Sequence, residues 1–129
     1  MSAAKPLKIM LIEDDDELRA LLAVGINAAF ANKIKIDQHD NAEFALSNSF
    51  KKLYDLVIID FKLTGMSGLD FIQAIRNFPE RQMIPFIFIS GYFSELKSKV
   101  KTENLENLYF LEKPFTVEEL VKQMKMILA

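Results

Sequence analysis

Apolar residues in this chain follow two periods that take turns from one end to the other. Leu7, Ile9, Met10, Leu11 and Ile12 form a run short enough for a buried strand, residues 7–12. Residues 14–30 then place Leu18, Leu21, Leu22 and Ile26 near helical spacing behind an acidic first turn, which predicts an amphipathic helix. Residues 34–38 alternate apolar with polar, and residues 42–50 predict a second helix with Phe44, Ala45 and Phe50 partly inward. Leu56, Val57, Ile58 and Ile59 are too apolar for a solvated face, so residues 56–59 read as a central strand with helices on both sides. The segment Thr64-Gly65-Met66-Ser67-Gly68 supplies a turn before a helix at 69–77, and Pro79 and Pro85 bound the link to a fourth strand at 86–89. A fourth helix is expected within 94–104, a fifth strand at 108–111, and a last helix at 117–128 with Leu120, Val121, Met124 and Ile127 inward. Five strands alternating with five helices imply parallel pairing and right-handed crossovers, hence a three-layer α/β sandwich in one domain over residues 1–129.

Composition narrows the function classes. Eighteen acids against 16 bases give a net charge of −2, which provides no broad basic field for nucleic acid or an anionic membrane. Cysteine is absent, so thiolate metal sites and thiol nucleophiles are excluded. The start, Met1-Ser2-Ala3-Ala4-Lys5-Pro6, leads into a short apolar run rather than a signal-peptide core, and no stretch approaches the roughly 20 apolar residues that span a bilayer. A cytoplasmic location is the expectation, with no membrane and no direct nucleic-acid contact.

The chemistry sits where apolar runs end. Glu13-Asp14-Asp15-Asp16 follows the first run, Asp60 the third, Ser90-Gly91 the fourth, and Lys113-Pro114 the fifth. Each has an ordinary reading alone: acids cap helix amides, a Ser after a strand makes a turn, a lone Lys is solvated. The acidic run lacks the alternate spacing of a calcium-binding helix–loop–helix. Together, however, neighbouring parallel strands would carry these groups to one crevice at their carboxyl ends, where open α/β sheets bind ligands. Carboxylates and one ammonium there suit a divalent cation and a phosphoryl group.

With these markers in order, Glu13-Asp14-Asp15, Asp60, Ser90-Gly91 and Lys113-Pro114-Phe115, the chain resembles the receiver domain of two-component response regulators from Lys8 to Leu128. The resemblance implies a flavodoxin-like sheet of order 2-1-3-4-5 and a phosphoprotein whose Asp60 accepts a phosphoryl group from a phosphohistidine. It implies Mg²⁺ as cofactor, bound directly by Asp14 and Asp60 and by the backbone carbonyl of Lys62, with Glu13 acting through water. Lys113, Ser90 and the Gly91 amide would bind the phosphoryl oxygens, and the Lys113–Pro114 bond would be cis. Ser90 and Phe110 would form the switch, with Phe110 at the place of an aromatic rotor that is often Tyr. The ordinary reading of Phe110, a core aromatic, stands beside this.

The implied partners are a sensor histidine kinase or phosphotransfer protein, and an effector protein bound by the face of helix four, strand five and helix five. A phosphorylation-dependent homodimer is among the outcomes. Lys97, Lys99, Lys101, Glu118, Glu119 and Lys122 lie where that face should be, and a solvated charged surface is their plainer reading. Beyond its own phosphorylation and dephosphorylation the chain is expected to catalyse nothing. No effector segment follows Ala129, so a single-domain regulator and a receiver from a longer protein both fit. Thr64 stands where the family often has Pro, which predicts a looser loop before Gly65, and Lys62 and Tyr92 flank the expected path of hydrolytic water, which predicts slow self-dephosphorylation. Three competitors are weaker. A phosphate-free receiver-like module would normally have lost Asp14, Asp60 or Lys113. A flavin-binding domain would need a glycine-rich loop where acids stand. An aspartyl phosphatase would want a second Asp at Lys62.

Overall fold

The computed structural model describes residues 5–91, 97–98 and 106–129. Five strands, β1 (Leu7–Ile12), β2 (Ile34–His39), β3 (Leu56–Asp60), β4 (Phe86–Ser90) and β5 (Leu108–Glu112), form one parallel sheet in the order β2-β1-β3-β4-β5. The helices between them are α1 (Asp16–Ala29), α2 (Ala42–Ser49) and α3 (Gly68–Arg76), a short 3-10 turn covers Pro79–Arg81, and a C-terminal helix spans Val117–Ile127. The expected fourth helix falls at 94–104, where all but Lys97 and Ser98 lie outside the described residues.

Strand alternation sorts the core into two halves, because successive side chains leave opposite faces of a sheet. Met10, Ile12, Val57, Ile59, Phe86 and Phe88 pack with Phe71, Ile72 and Ile75 of α3 and the small Ala42 and Ala45 of α2. Ile9, Leu11, Leu56, Ile58, Ile87 and Ile89 face Leu22 and Ile26 of α1 and Leu120 and Met124 of the C-terminal helix. One half is therefore rich in aromatics and the other almost wholly aliphatic. Burying these side chains, each about 1.5–3 kcal/mol, is the main stabilising term.

Two details depart from the sequence expectation. The first helix starts at Asp16 instead of Asp14, because the Asp15 side chain accepts the amides of Glu17 and Leu18 and so takes the capping position itself. Phe44 and Phe50 do not turn inward: they are 68% and 45% exposed, while Ala42, Ala45 and Ser49 face the sheet at helical spacing. Small residues let α2 lie close to the strands, which rotates the phenylalanines outward. Phe50 meets Phe78 edge to face and underlies the Arg81 guanidinium. Among the described residues no helix is long and apolar enough to cross a membrane.

Helix α3 is pressed against the end of β3. A Cβ at Gly68 would lie 2.8 Å from the Asp60 carbonyl oxygen and 3.0 Å from the Phe88 ring. Backbone cannot yield as a flexible side chain does, so Gly68→Ala should lower unfolding free energy by about 1–3 kcal/mol in urea titrations. A stability equal to the parent's would show that the contact relaxes at no cost.

Candidate functional site

Register brings the polar residues together. β1 and β3 pair through Ile12 and Ile59, so the next step of the ladder faces Glu13 with Asp60. β3 and β4 pair Asp60 with Ile89, and β4 and β5 pair Ser90 with Glu112, immediately before Lys113. The Lys113 amide donates to the Ser90 carbonyl at 2.9 Å, and the Lys113–Pro114 peptide is cis. The site thus stands at the carboxyl ends of β1, β3, β4 and β5.

Within it, the Lys113 ammonium donates to Asp60 Oδ2 at 2.6 Å and lies 3.7 Å from Glu13 Oε1. Asp60 Oδ1 accepts the Lys62 backbone amide at 2.9 Å. Asp60 is buried, with its carboxylate fixed from two sides. Glu13, Asp14 and Asp60 each offer a carboxylate oxygen, and these oxygens lie within 4.8 Å of one another. Glu13 and Ser90 are 1% and 2% exposed, whereas Asp14, Lys62 and Gly91 open to solvent.

Crowded acids of one sign shift each other's protonation. Burial, then the hydrogen-bonding and charged Asp60 beside it, push the Glu13 carboxyl up to about 8, against a smaller pull from Lys113. Burial works against the Lys113 charge, but Asp60, Glu13 and Asp14 outweigh it and its pKa is raised. The buried Glu13 Oε2 has no hydrogen-bond partner. An oxygen-only donor set with an orphaned buried oxygen and more negative charge than one ammonium balances fits a hard divalent cation such as Mg²⁺.

The acidic run divides by task. Glu13 and Asp14 face the site, Asp15 caps α1, and Asp16 pairs with Arg19 at 2.6 Å. Arg19 also donates to the Glu13 carbonyl at 2.6 Å, a support that the sequence reading did not assign and that only its three-residue offset from Asp16 could have signalled. Glu43 was likewise missed. Its carboxylate accepts the Met66 amide at 2.8 Å and so anchors the β3–α3 loop, whose Gly65 takes φ +86°. The loop is held by α2 at Met66, just past Gly65. Phe110 is half-buried and stacks on Phe88, ring centroids 6.3 Å apart, and Phe88 in turn meets Phe61 edge to face. Tyr92, Lys99 and Lys101 lie outside the described residues.

With no metal bound, Glu13 supplies a pH test. A carboxyl whose pKa is raised on folding weakens the fold as pH climbs from its unfolded value of 4.5 to its folded value of about 8. In excess chelator, Glu13→Gln should remove that decline and exceed the parent in stability by on the order of 1–3 kcal/mol above pH 8, with little difference near pH 4.5. Parallel stability curves for the two proteins would contradict the assignment.

Comparison with known proteins agrees with this fold. The family model of the response regulator receiver domain matches residues 9–125. The phosphate regulon transcriptional regulatory protein PhoB of Rhizobium meliloti is 30% identical over 121 residues, covering 94% of this chain and 52% of that protein. The transcriptional regulatory protein ResD of Bacillus subtilis is 24% identical, covering 99% of this chain and 50% of that protein. The chain therefore spans about half the length of these relatives. Among solved structures, a response regulator from Chloroflexus aurantiacus superposes with TM-score 0.82 at 27% identity, covering 96% of this chain and 98% of that one. The Vibrio cholerae chemotaxis protein CheY4 superposes with TM-score 0.84 at 22% identity, covering 95% and 98%, a likeness of fold. A sheet of order 2-1-3-4-5, acids at the ends of β1 and β3, Lys113 at the end of β5 and a family match over nearly the whole length place this chain in the response regulator receiver domain family.

Proposed function

We propose that the chain is a phosphorylation switch: it takes a phosphoryl group from the phosphohistidine of a sensor kinase or phosphotransfer protein onto Asp60 and then engages an effector protein. The observation that carries this reading is the Asp60 carboxylate, buried at a strand end, salt-bridged to Lys113 at 2.6 Å and within 4.8 Å of the Glu13 and Asp14 oxygens. That environment fits a carboxylate nucleophile held in one orientation.

In the proposed step an Asp60 oxygen attacks phosphorus, the P–N bond to the donor histidine breaks, and the imidazole leaves with its electron pair and takes up a proton. Phosphoryl transfer depends on positioning and on charge neutralisation more than on acid–base chemistry, so the chain need only hold the groups. Lys113 neutralises Asp60 before transfer and turns to a phosphoryl oxygen after it. The Ser90 hydroxyl and the Gly91 amide complete the oxyanion contacts; among the described residues a Cβ at Gly91 would meet nothing within 4 Å. Glu13, Asp14 and Asp60 would hold Mg²⁺, with the Lys62 carbonyl as a further ligand, and when bound the ion supplies positive charge between the carboxylates and the incoming phosphate. The chain catalyses its own modification and acts on no outside substrate.

Output is proposed to run through Ser90 and Phe110. Movement of the Ser90 hydroxyl toward the new oxyanion would free space beside β4, and the Phe110 ring, stacked on Phe88, would repack there. Phe110 has no phenolic hydroxyl, so the switch rests on packing. The effector-binding face would comprise the region of the fourth helix, β5 and the C-terminal helix.

Incubation with Mg²⁺ and acetyl phosphate should add one phosphoryl mass to the parent and none to Asp60→Asn. An undiminished adduct on the variant would place the site elsewhere. Asp14→Asn should weaken Mg²⁺ binding by about tenfold or more, since a charged oxygen ligand is lost. Unchanged affinity in a titration would move the metal role to Glu13, because the Asp15 carboxylate is committed to the α1 cap.

A further inference from the structure

On the face away from the aromatic half of the core, α1 and the C-terminal helix leave a groove of about 880 Å³ between them. Its floor is Gly25, Ala28, Val117 and Val121, and its lining is almost wholly apolar. Three large apolar side chains on the same two helices stand in solvent: Leu21 at 59%, Val24 at 69% and Met126 at 72% exposure. A contiguous apolar surface of this kind marks an interaction site.

Charge on the two helices identifies what fits it. Glu17, Leu21, Val24 and Ala28 recur at helical spacing, so Glu17 heads the exposed stripe of α1. Lys122 and Lys125 continue the groove edge on the C-terminal helix, and Glu118 lines the groove one turn before Lys122, next to Val117. The helices run parallel: Gly25 faces Val117, where a Cβ would run into the valine Cγ1, and five residues on the Phe30 ring lies under the Lys125 ammonium at 5.7 Å. The face is therefore negative at its Glu17 end, apolar apart from Glu118 in its middle and positive at its Lys122 and Lys125 end. Among the described residues Glu17, Lys122 and Lys125 enter no ion pair.

We propose that this face binds a second copy of the chain in a two-fold, antiparallel dimer that forms without phosphorylation. A two-fold axis perpendicular to the helices lays apolar middle on apolar middle and sets Glu17 of each copy against Lys122 and Lys125 of the other. A stripe carrying both signs at opposite ends is complementary to itself, whereas a foreign acidic or basic helix would match one end and be repelled at the other.

Sedimentation velocity of the full chain, without phosphodonor, from low micromolar to several hundred micromolar, tests this. The parent should show a concentration-dependent dimer. Glu17→Lys alone, and Lys122→Glu with Lys125→Glu together, should each weaken it at least about tenfold, since every reversal acts twice by symmetry. Mixing those two variants restores opposite charges at both ends and should restore the dimer. All three residues are exposed, so each variant should keep the parent's circular dichroism spectrum. A monomeric parent at every concentration, a dimer indifferent to the reversals, or variants that stay monomeric when mixed would each overturn the proposal. Val24→Asp, also exposed, should abolish the dimer, and a dimer surviving it would exclude this face.

Discussion

The excess of negative charge at the carboxyl ends of β1 and β3 is the interaction on which the rest of the site depends. Glu13, Asp14 and Asp60 present oxygens within 4.8 Å of one another, and among the described residues Lys113 is the ammonium that answers them. Like charges so close are costly, and desolvation adds to the cost. The fold tolerates this because the sheet fixes the strand ends through the buried Ile12–Ile59 and Asp60–Ile89 pairs, whose packing outweighs the repulsion. The price appears in the protonation of Glu13, pushed up to about 8. A cation would relieve the repulsion, and the Lys113 ammonium beside Asp60 and Glu13 relieves part of it.

A second constraint links this charge cluster to the protein's surface. Gly68 allows α3 to touch the Asp60 backbone, Phe61, Phe88 and Phe110 run as an aromatic row from the site toward β5, and Glu43 of α2 holds the loop after Asp60 through the Met66 amide. Packed aromatics have discrete arrangements rather than a continuum, which is the property the proposed switch would use. The opposite half of the core is aliphatic and ends on the α1 groove, away from this row.

Much of this was legible in the residues. Apolar runs that stop at Glu13, Asp60, Ser90 and Lys113 revealed both the strands and the site, because a parallel sheet collects strand ends on one edge. The helix start was misplaced by two residues because Asp14, Asp15 and Asp16 are chemically alike and only geometry shows that Asp15 is the cap. Phe44 and Phe50 misled because large apolar residues compete with alanine for the inward face, and the close approach of α2 decided in favour of alanine. Glu43 and Met66 are 23 residues apart, so no local pattern announces their hydrogen bond. Arg19 was hidden for a different reason, since its partner is the Glu13 backbone carbonyl and any residue at that position would offer one.

The central claim is that Asp60, the neighbouring acids and Lys113 act as one phosphoryl-binding unit. Beryllium fluoride, which mimics a phosphoryl group on a carboxylate, tests it without a kinase. Fluorine NMR should show bound fluoride resonances only when Mg²⁺ is present, with the Ser90 and Lys113 amides shifting on binding. No bound resonance, or one that persists after Mg²⁺ is chelated and leaves Ser90 and Lys113 unmoved, would contradict the account.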